Sequence, residues 1–207
     1  MAMPAAVEGS SSLYVALVHY PVLNRNGEVI ASAITNLDLH DLARLVCTFA
    51  IPRCYIVTPL QDQQALAERL LNHWIEGIGK ELHPDREFAL RHLRVVDSIA
   101  SAENDIALRS GKRPKVWATT AKSQDGWLPI GQARKMLYEN SAAHLLLLGT
   151  GWGLAPAVLA DADAVLQPIQ GFNGYNHLSV RCAAAILLDR LLHREAQCKI
   201  TGSAGPG

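Results

Sequence analysis

The stretch "LLLLGTGWGLAP" occupies residues 145–156. Leu145 to Leu148 form the short, unbroken apolar run expected of a strand covered on both faces of a sheet. Gly149, Gly151 and Gly153 follow at alternate positions, and a short helix is expected over about 154–160. Residues without side chains let something approach closely, either another backbone or a ligand. Strand, glycine turn and helix are the repeating parts of a parallel α/β sheet, whose ligands sit beyond the carboxyl ends of the strands.

The same alternation extends both ways. "LYVALVHY" (13–20), "RCYIVTP" (53–59), "HLRVVD" (92–97), "PKVWATTA" (114–121) and, more weakly, "DAVLQPI" (163–169) have strand character. "NRNGEVIA" (24–31) carries hairpin chemistry around Asn-Gly. Helical spacing runs through "TNLDLHDLARLVCTFAI", where Thr35, Asn36 or Asp38 is the cap, and through 61–78, with Leu66, Leu70, Trp74 and Ile78 on one stripe. Further helices are expected over 98–108, 131–140 and 176–193. The polar stretch "GKELHPDREFALR" (79–91) has the character of an insertion or an exposed helix edge. The expected fold is α/β, a mostly parallel sheet with helices on both faces.

With 207 residues, 49% of them hydrophobic and 18% charged, the chain is long and apolar enough for one packed domain. That domain is expected over 13–195, between flexible ends at 1–12 and 196–207. Nineteen basic residues balance nineteen acidic ones, so any nucleic-acid surface must be local, and the run Lys112, Arg113, Lys115 is a candidate. Cys47, Cys54, Cys182 and Cys198 lack metal-type spacing and suit reduced thiols. No secretory signal and no membrane-length apolar run is present, so a cytoplasmic protein without metal or membrane attachment is expected.

The glycine loop is not a dinucleotide fingerprint. Leu154 follows the third glycine, and some twenty residues on stand Gln167, Pro168 and Ile169 rather than an acid for a ribose. No Gly-Lys-Ser/Thr follows, so it is no P-loop either. A second loop, "LQPIQGFNGYNHLSV" (166–180), also follows a strand. Two loops of mixed apolar and amide character suit an uncharged flat ring such as adenine.

Three stretches resemble the SPOUT class of S-adenosylmethionine-dependent methyltransferases. "LLLLGTGWGLA" resembles its second motif, "LQPIQGFNGYNHLSVRCAAAIL" its third, and "TNLDLHDLARLVCTFAI" its first. More narrowly, residues 13–193 resemble a small bacterial branch of RNA methyltransferase domains, found alone or fused after a tRNA guanine-N1 methyltransferase. The resemblance implies a C-terminal deep trefoil knot holding S-adenosylmethionine. It implies a cofactor pocket of Gly149, Thr150, Gly151 and Leu154, completed by Leu166, Pro168, Ile169, Asn176 and Leu178, with Thr119 and Thr120 as the remaining wall. The chain departs from the best-known branch in two places. Asn176-His177-Leu178-Ser179 stands where that branch carries Ser-Leu-Asn, and Asp38 stands in place of a second Asn.

Methyl transfer from a sulfonium depends mainly on placing the nucleophile in line, and a base is needed only if that nucleophile carries a proton. Candidates cluster in "NLDLHDLAR". Arg44 is suited to clamp a phosphate or polarise the target, Asp38 or Asp41 to accept a proton, and Asn36 belongs to the resembling motif. Asp38 is equally suited to cap a helix, and Asp41 with Arg44 to form a surface pair. His19 and Tyr20 end the first strand near the same edge, and His177 is expected at a helix amino terminus. The helix in "LSVRCAAAILLDRLL" is apolar nearly all round, as a helix covered by a partner would be. The expected protein is a homodimeric RNA methyltransferase acting on tRNA or rRNA, paired through that helix. The alternatives are a cofactor-binding RNA-interaction module without its own catalysis and an unrelated nucleotide-binding domain.

Overall fold

A computed structural model describes residues 12–77, 79–139, 141–173 and 175–193. The expected flexible ends fall outside these apart from Ser12, as do Ile78 and Asn140. In chain order the elements are β1 (Leu13–Val18), β2 (Val22–Leu23), β3 (Val29–Ile30), α1 (Asn36–Thr48), β4 (Cys54–Val57) and α2 (Gln61–Ile75). Next come α3 (Gly79–Leu82), α4 (Pro84–Leu90), β5 (Leu93–Val96), α5 (Ile99–Ser110), β6 (Lys115–Ala118) and α6 (Ile130–Glu139). The chain continues through β7 (His144–Gly149), α7 (Pro156–Asp161), β8 (Ala164–Val165) and α8 (Val180–Leu192).

Six strands form one sheet in the order β5-β4-β1-β7-β6-β8, every neighbouring pair parallel. After β5 the chain crosses to lay down β6, then returns so that β7 fills the place between β1 and β6. The leucine run is therefore a central strand. Leu145 to Leu148 are at most 1% exposed.

Strand alternation divides the core. Leu13, Val15 and Leu17 of β1 face a cluster containing Leu39, Leu42 and Val46 of α1, Ala67 and Leu71 of α2, Leu137 of α6 and Leu188 of α8. Tyr14, Ala16 and Val18 face the opposite cluster, with Ala102 and Ile106 of α5 and Val158 of α7. Burying such faces at about 25 cal/mol per Å² of apolar area is the main force holding the layers together. Side chains start the helices where the sequence offers them. Thr35 accepts from Asp38 N, Ser98 from Ser101 N and Ser179 from Cys182 N, while Pro84 and Pro156 stand at the starts of α4 and α7.

Two local expectations are corrected. The buried stripe of α2 is Ala67 and Leu71, with Leu70 and Trp74 partly covered, while Leu66 is 49% exposed. The last helix begins at Val180 because Ser179 caps it, so Asn176, His177 and Leu178 lie in a loop rather than at a helix amino terminus. The polar stretch 79–91 follows the second of its expected readings, an exposed helix edge: α3 and α4 cover most of it, 80–85 are exposed, and α4 packs against α1 and α2.

Candidate active site at the carboxyl edge of the sheet

At 149 and 151 the glycines make room for backbone. A Cβ on Gly149 would lie 2.7 Å from Leu154 N, and one on Gly151, whose φ is +58°, would lie 2.8 Å from Leu23 O. Gly153 adopts φ +103° with open space beside it, a conformation that glycine alone adopts cheaply. The loop is stitched to the β2–β3 hairpin by hydrogen bonds. Leu23 N donates to Gly153 O at 2.9 Å, Trp152 N to Leu23 O at 2.9 Å and Ala155 N to Pro21 O at 3.1 Å. Leu154 is 4% exposed and sits in the core rather than in an open groove.

Thr150 ties the loop to β1. Its hydroxyl donates to Val18 O at 2.9 Å and lies 2.5 Å from Ser32 Oγ, which lies 2.9 Å from His19 Nδ1. His19 is fully buried. Burial lowers its pKa to about 4, against the opposing pull of Asp38 and the Ala33 carbonyl, so the imidazole is neutral at physiological pH. It is a structural link rather than a titrating base.

The segments after β6 and β8 run alongside one another. Leu166 N donates to Ala118 O at 2.9 Å and Gln167 N to Leu128 O at 2.9 Å. Asn176 Nδ2 donates to Ala121 O at 2.9 Å. Thr119 Oγ1 donates to Leu147 O at 2.8 Å, and Thr120 Oγ1 accepts from Lys122 N at 3.1 Å. Leu166 is buried, Ile169 packs against the core, Pro168 and Asn176 are half-buried, and Leu178 is 46% exposed. The residues expected to line a cofactor pocket thus come from three loops at one edge of the sheet, Leu154 and Leu166 with their side chains turned into the core.

Candidates from the first motif separate. Because α1 runs back from the carboxyl edge, Asn36 and Asp38 lie at that edge, and Arg44 lies roughly 9 Å further along the helix axis than Asp38. Thr35 Oγ1 donates to Asp38 Oδ2 at 2.6 Å, and Arg181 Nε lies 3.2 Å from Asp38 Oδ1. Arg181 Nη1 donates to Asp41 Oδ2 at 2.9 Å, so Asp41 pairs with Arg181 rather than with Arg44. Arg181 was not among the expected residues. Its signal is a lone charge opening the apolar run "LSVRCAAAILL". Arg44 is exposed and lines a different cavity, between α1 and the α3–α4 segment.

The basic run lies at the opposite, amino edge, where β6 begins. Two of its three charges are answered, by Arg113–Glu103 at 2.6 Å and Lys115–Asp163 at 2.7 Å. Aromatic rings occupy the carboxyl edge instead. Trp152 is 59% exposed and Tyr175 70%, and both pack edgewise on His177, at 6.4 and 5.1 Å between centroids. Among the described residues no three His, Cys, Asp or Glu side chains gather as metal ligands, and no helix is long and apolar enough to cross a membrane.

Residues 12–193 match a family described as SAM-dependent RNA methyltransferase. A tRNA (guanine-N(1)-)-methyltransferase of Oleidesulfovibrio alaskensis is 49% identical over 181 residues, 87% of this chain but 42% of that protein. The chain thus spans less than half of that relative's length. An uncharacterized protein of Aquifex aeolicus is 32% identical over 185 residues, 89% of this chain and 90% of that one. Among solved structures, the A. aeolicus TrmH/SpoU tRNA modifying enzyme superposes with a TM-score of 0.55 at 14% identity, over 88% of this chain and 74% of that one, a likeness of fold. With the match running from just before β1 to just past α8, the chain belongs to the family of SAM-dependent RNA methyltransferases.

Proposed function

We propose that this chain methylates a nucleotide of tRNA or rRNA, as a cytoplasmic homodimer whose single domain spans 13–195. The observation that carries the proposal is the convergence of the 119–122, 149–155 and 166–178 loops at one sheet edge. Their lining fits S-adenosylmethionine: hydroxyls of Thr119 and Thr120, backbone of Gly149, Thr150 and Gly151, apolar flanks from Pro168 and Ile169 backed by the core side chains of Leu154 and Leu166, and the amide of Asn176. No charged side chain is among them, as an adenine ring prefers. When bound, S-adenosylmethionine supplies a methyl group activated by its sulfonium charge. In this proposal the segment after Leu166 follows the knotted path implied by the SPOUT resemblance. It is supported by the bonds that tie Gln167 to Leu128 and Asn176 to Ala121.

The chain's own residues then hold and orient. Arg181 and Thr35 fix the Asp38 carboxylate, leaving it aimed to receive a proton or to orient the target, with Asn36 beside it on the helix. Exposed Trp152 and Tyr175 offer ring faces to unstacked bases. Arg44 faces away from its own chain's glycine loop, so in a catalytic role it serves the partner's site. A homodimer through α8 supplies that arrangement. It is supported by a groove of about 260 Å³ between α1 and α8, lined by Leu42, Leu45, Cys182 and Ala185.

One observation favours a second reading, an RNA-interaction module that binds cofactor without catalysis. The chain matches less than half of a longer tRNA methyltransferase. Calorimetry with S-adenosylmethionine and tritium-methyl transfer to host tRNA and rRNA separate the two. Methyl incorporation is expected. Cofactor binding without transfer would favour the module. Leu178→Arg, at a half-exposed position, should abolish cofactor binding with the melting temperature unchanged. Unaltered binding would remove the 166–178 loop from the pocket.

A further inference from the structure

Between α1 and the α3–α4 segment lies a cavity of about 380 Å³ lined by Arg44, Leu82, His83, Pro84, Asp85 and Arg86. It lies on the outer side of α1, apart from the loops of the carboxyl edge. The polar stretch 79–91 builds most of its wall, a stretch for which cofactor binding has no use. Here Trp74 stands in the last turn of α2, and four side chains pack on its ring. His40, His73 and His83 lie 5.5, 5.3 and 6.0 Å from it between centroids, and the Arg86 guanidinium carbon stands 4.6 Å over it.

We propose that this cavity binds a phosphodiester of the RNA substrate, with the guanidinium groups of Arg86 and Arg44 as its two donors. The proposal rests on the RNA-methyltransferase reading and adds a second contact to it. A guanidinium stacked on an indole uses its face, which leaves its in-plane N–H edge available to phosphate oxygens and restricts its motion. Arg86, its guanidinium carbon 4.6 Å from the Trp74 ring centroid, is placed for such a contact. Neither Arg86 nor Arg44 forms an ion pair among the described residues, whereas Arg91, Arg109, Arg113 and Arg181 are each committed to a carboxylate; Arg25, Arg69 and Arg190 form none either, but they are not in this cavity's wall. Asp85 is the only carboxylate in the wall, against two guanidinium groups and an imidazole. His40, half-buried between the arginines, reports the same field. Its pKa is lowered first by burial, then by Arg86 and Arg44, with Asp41 opposing.

The anion is assigned to RNA because the chain is neutral overall and, in the run Lys112, Arg113, Lys115, two of the three charges are already answered, by Glu103 and Asp163. The imidazoles around Trp74 do not gather as a metal site among the described residues. Free phosphate would share the chemistry and is distinguished by experiment.

The test is fluorescence anisotropy of labelled, unfractionated host tRNA titrated with the full chain over a salt series, beside calorimetry with S-adenosylmethionine. Arg86→Glu should weaken RNA binding by ~10-fold or more, and Arg86→Ala should lower the slope of log affinity against log salt by about one. Asp85→Asn should tighten RNA binding ~2- to 3-fold, a gain that misfolding does not produce. All three variants should bind cofactor as the parent does, so failure here is distinguishable from failure of the methyltransferase reading. RNA binding by the parent that neither Arg86→Glu nor Asp85→Asn alters would overturn the proposal, as would a parent that binds no RNA. Competition by inorganic phosphate at submillimolar concentration would reassign the cavity to free phosphate. Sedimentation showing that Arg86→Glu dissociates the dimer would make it a subunit contact.

Discussion

The loop at 149–155 and the loop at 166–178 close the same edge of the sheet with opposite construction. In the first, Leu23, Pro21 and Val18 take or give backbone hydrogen bonds at successive positions, Leu154 is buried, and two glycines exist because neighbouring backbone occupies the space of their side chains. In the second, Phe172, Tyr175 and Leu178 stand in solvent, and a Cβ on Gly171 would meet the Tyr175 carbonyl at 3.3 Å and the Asn173 carbonyl at 3.7 Å, both of the same loop. One wall is preorganised by packing, and the other keeps its side chains free to meet a ligand. Glycine content alone does not separate these cases; what lies along the missing Cβ direction does.

The sharpest way to break this comparison is to add a methyl group to each loop. Gly149→Ala drives a Cβ against Leu154 N, a backbone atom that cannot turn aside, and should cost about 3 kcal/mol in urea unfolding. Gly171→Ala should cost less than about 0.5 kcal/mol, because the loop that carries Tyr175 can yield. Equal losses would mean that both loops are packed alike.

Acid titration probes the first loop from beneath. Neutral, buried His19 holds Ser32 against Thr150. Its folded pKa of about 4 lies below the unfolded value of 6.5, so the unfolded state binds the proton first. Stability is therefore full above pH 6.5 and falls as pH drops toward 4, by up to about 3 kcal/mol from this group. His19→Gln should flatten that part of the pH profile, and an unchanged slope would mean that other groups set it. Thr150→Val removes the hydroxyl that donates to Val18 O and meets Ser32, at a cost of about 1–2 kcal/mol in the same assay.

How far the sequence carries depends on how local the cause is. Continuous apolar runs announce the strands, and the caps at Thr35, Ser98 and Ser179 act within three residues of themselves. The α8 boundary was expected too early because Asn176 resembles a cap, while Ser179 is the residue that accepts from the helix. The glycine loop is legible as a strand–turn–helix unit, but its occupant is not. Leu23, whose carbonyl blocks the Cβ direction of Gly151, is 128 positions away. The Asp38–Arg181 contact joins α1 to α8 across most of the chain, and nothing in "NLDLHDLAR" reveals that its acids turn one way while His40 and Arg44 turn another.

The smallest expected effect bears on the looser wall. Phe172 is wholly exposed and Tyr175 largely so, with His177 as a ring neighbour of Tyr175. Deleting such side chains removes little buried area, so Phe172→Ala and Tyr175→Ala should shift unfolding by no more than about 0.5 kcal/mol. Exposed aromatic rings beside a candidate active site are still costly to leave in water without use. If unstacked bases lie on them, each alanine variant should weaken tRNA binding by ~5-fold or more, in proportion to the about 1–3 kcal/mol of a base–aromatic stack. A loss of affinity with unchanged stability would make this loop the substrate-facing wall and leave 149–155 as its fixed counterpart. Lost stability without lost affinity would instead mean that the aromatic rings pack within the protein, and that the two loops differ less than their exposure suggests.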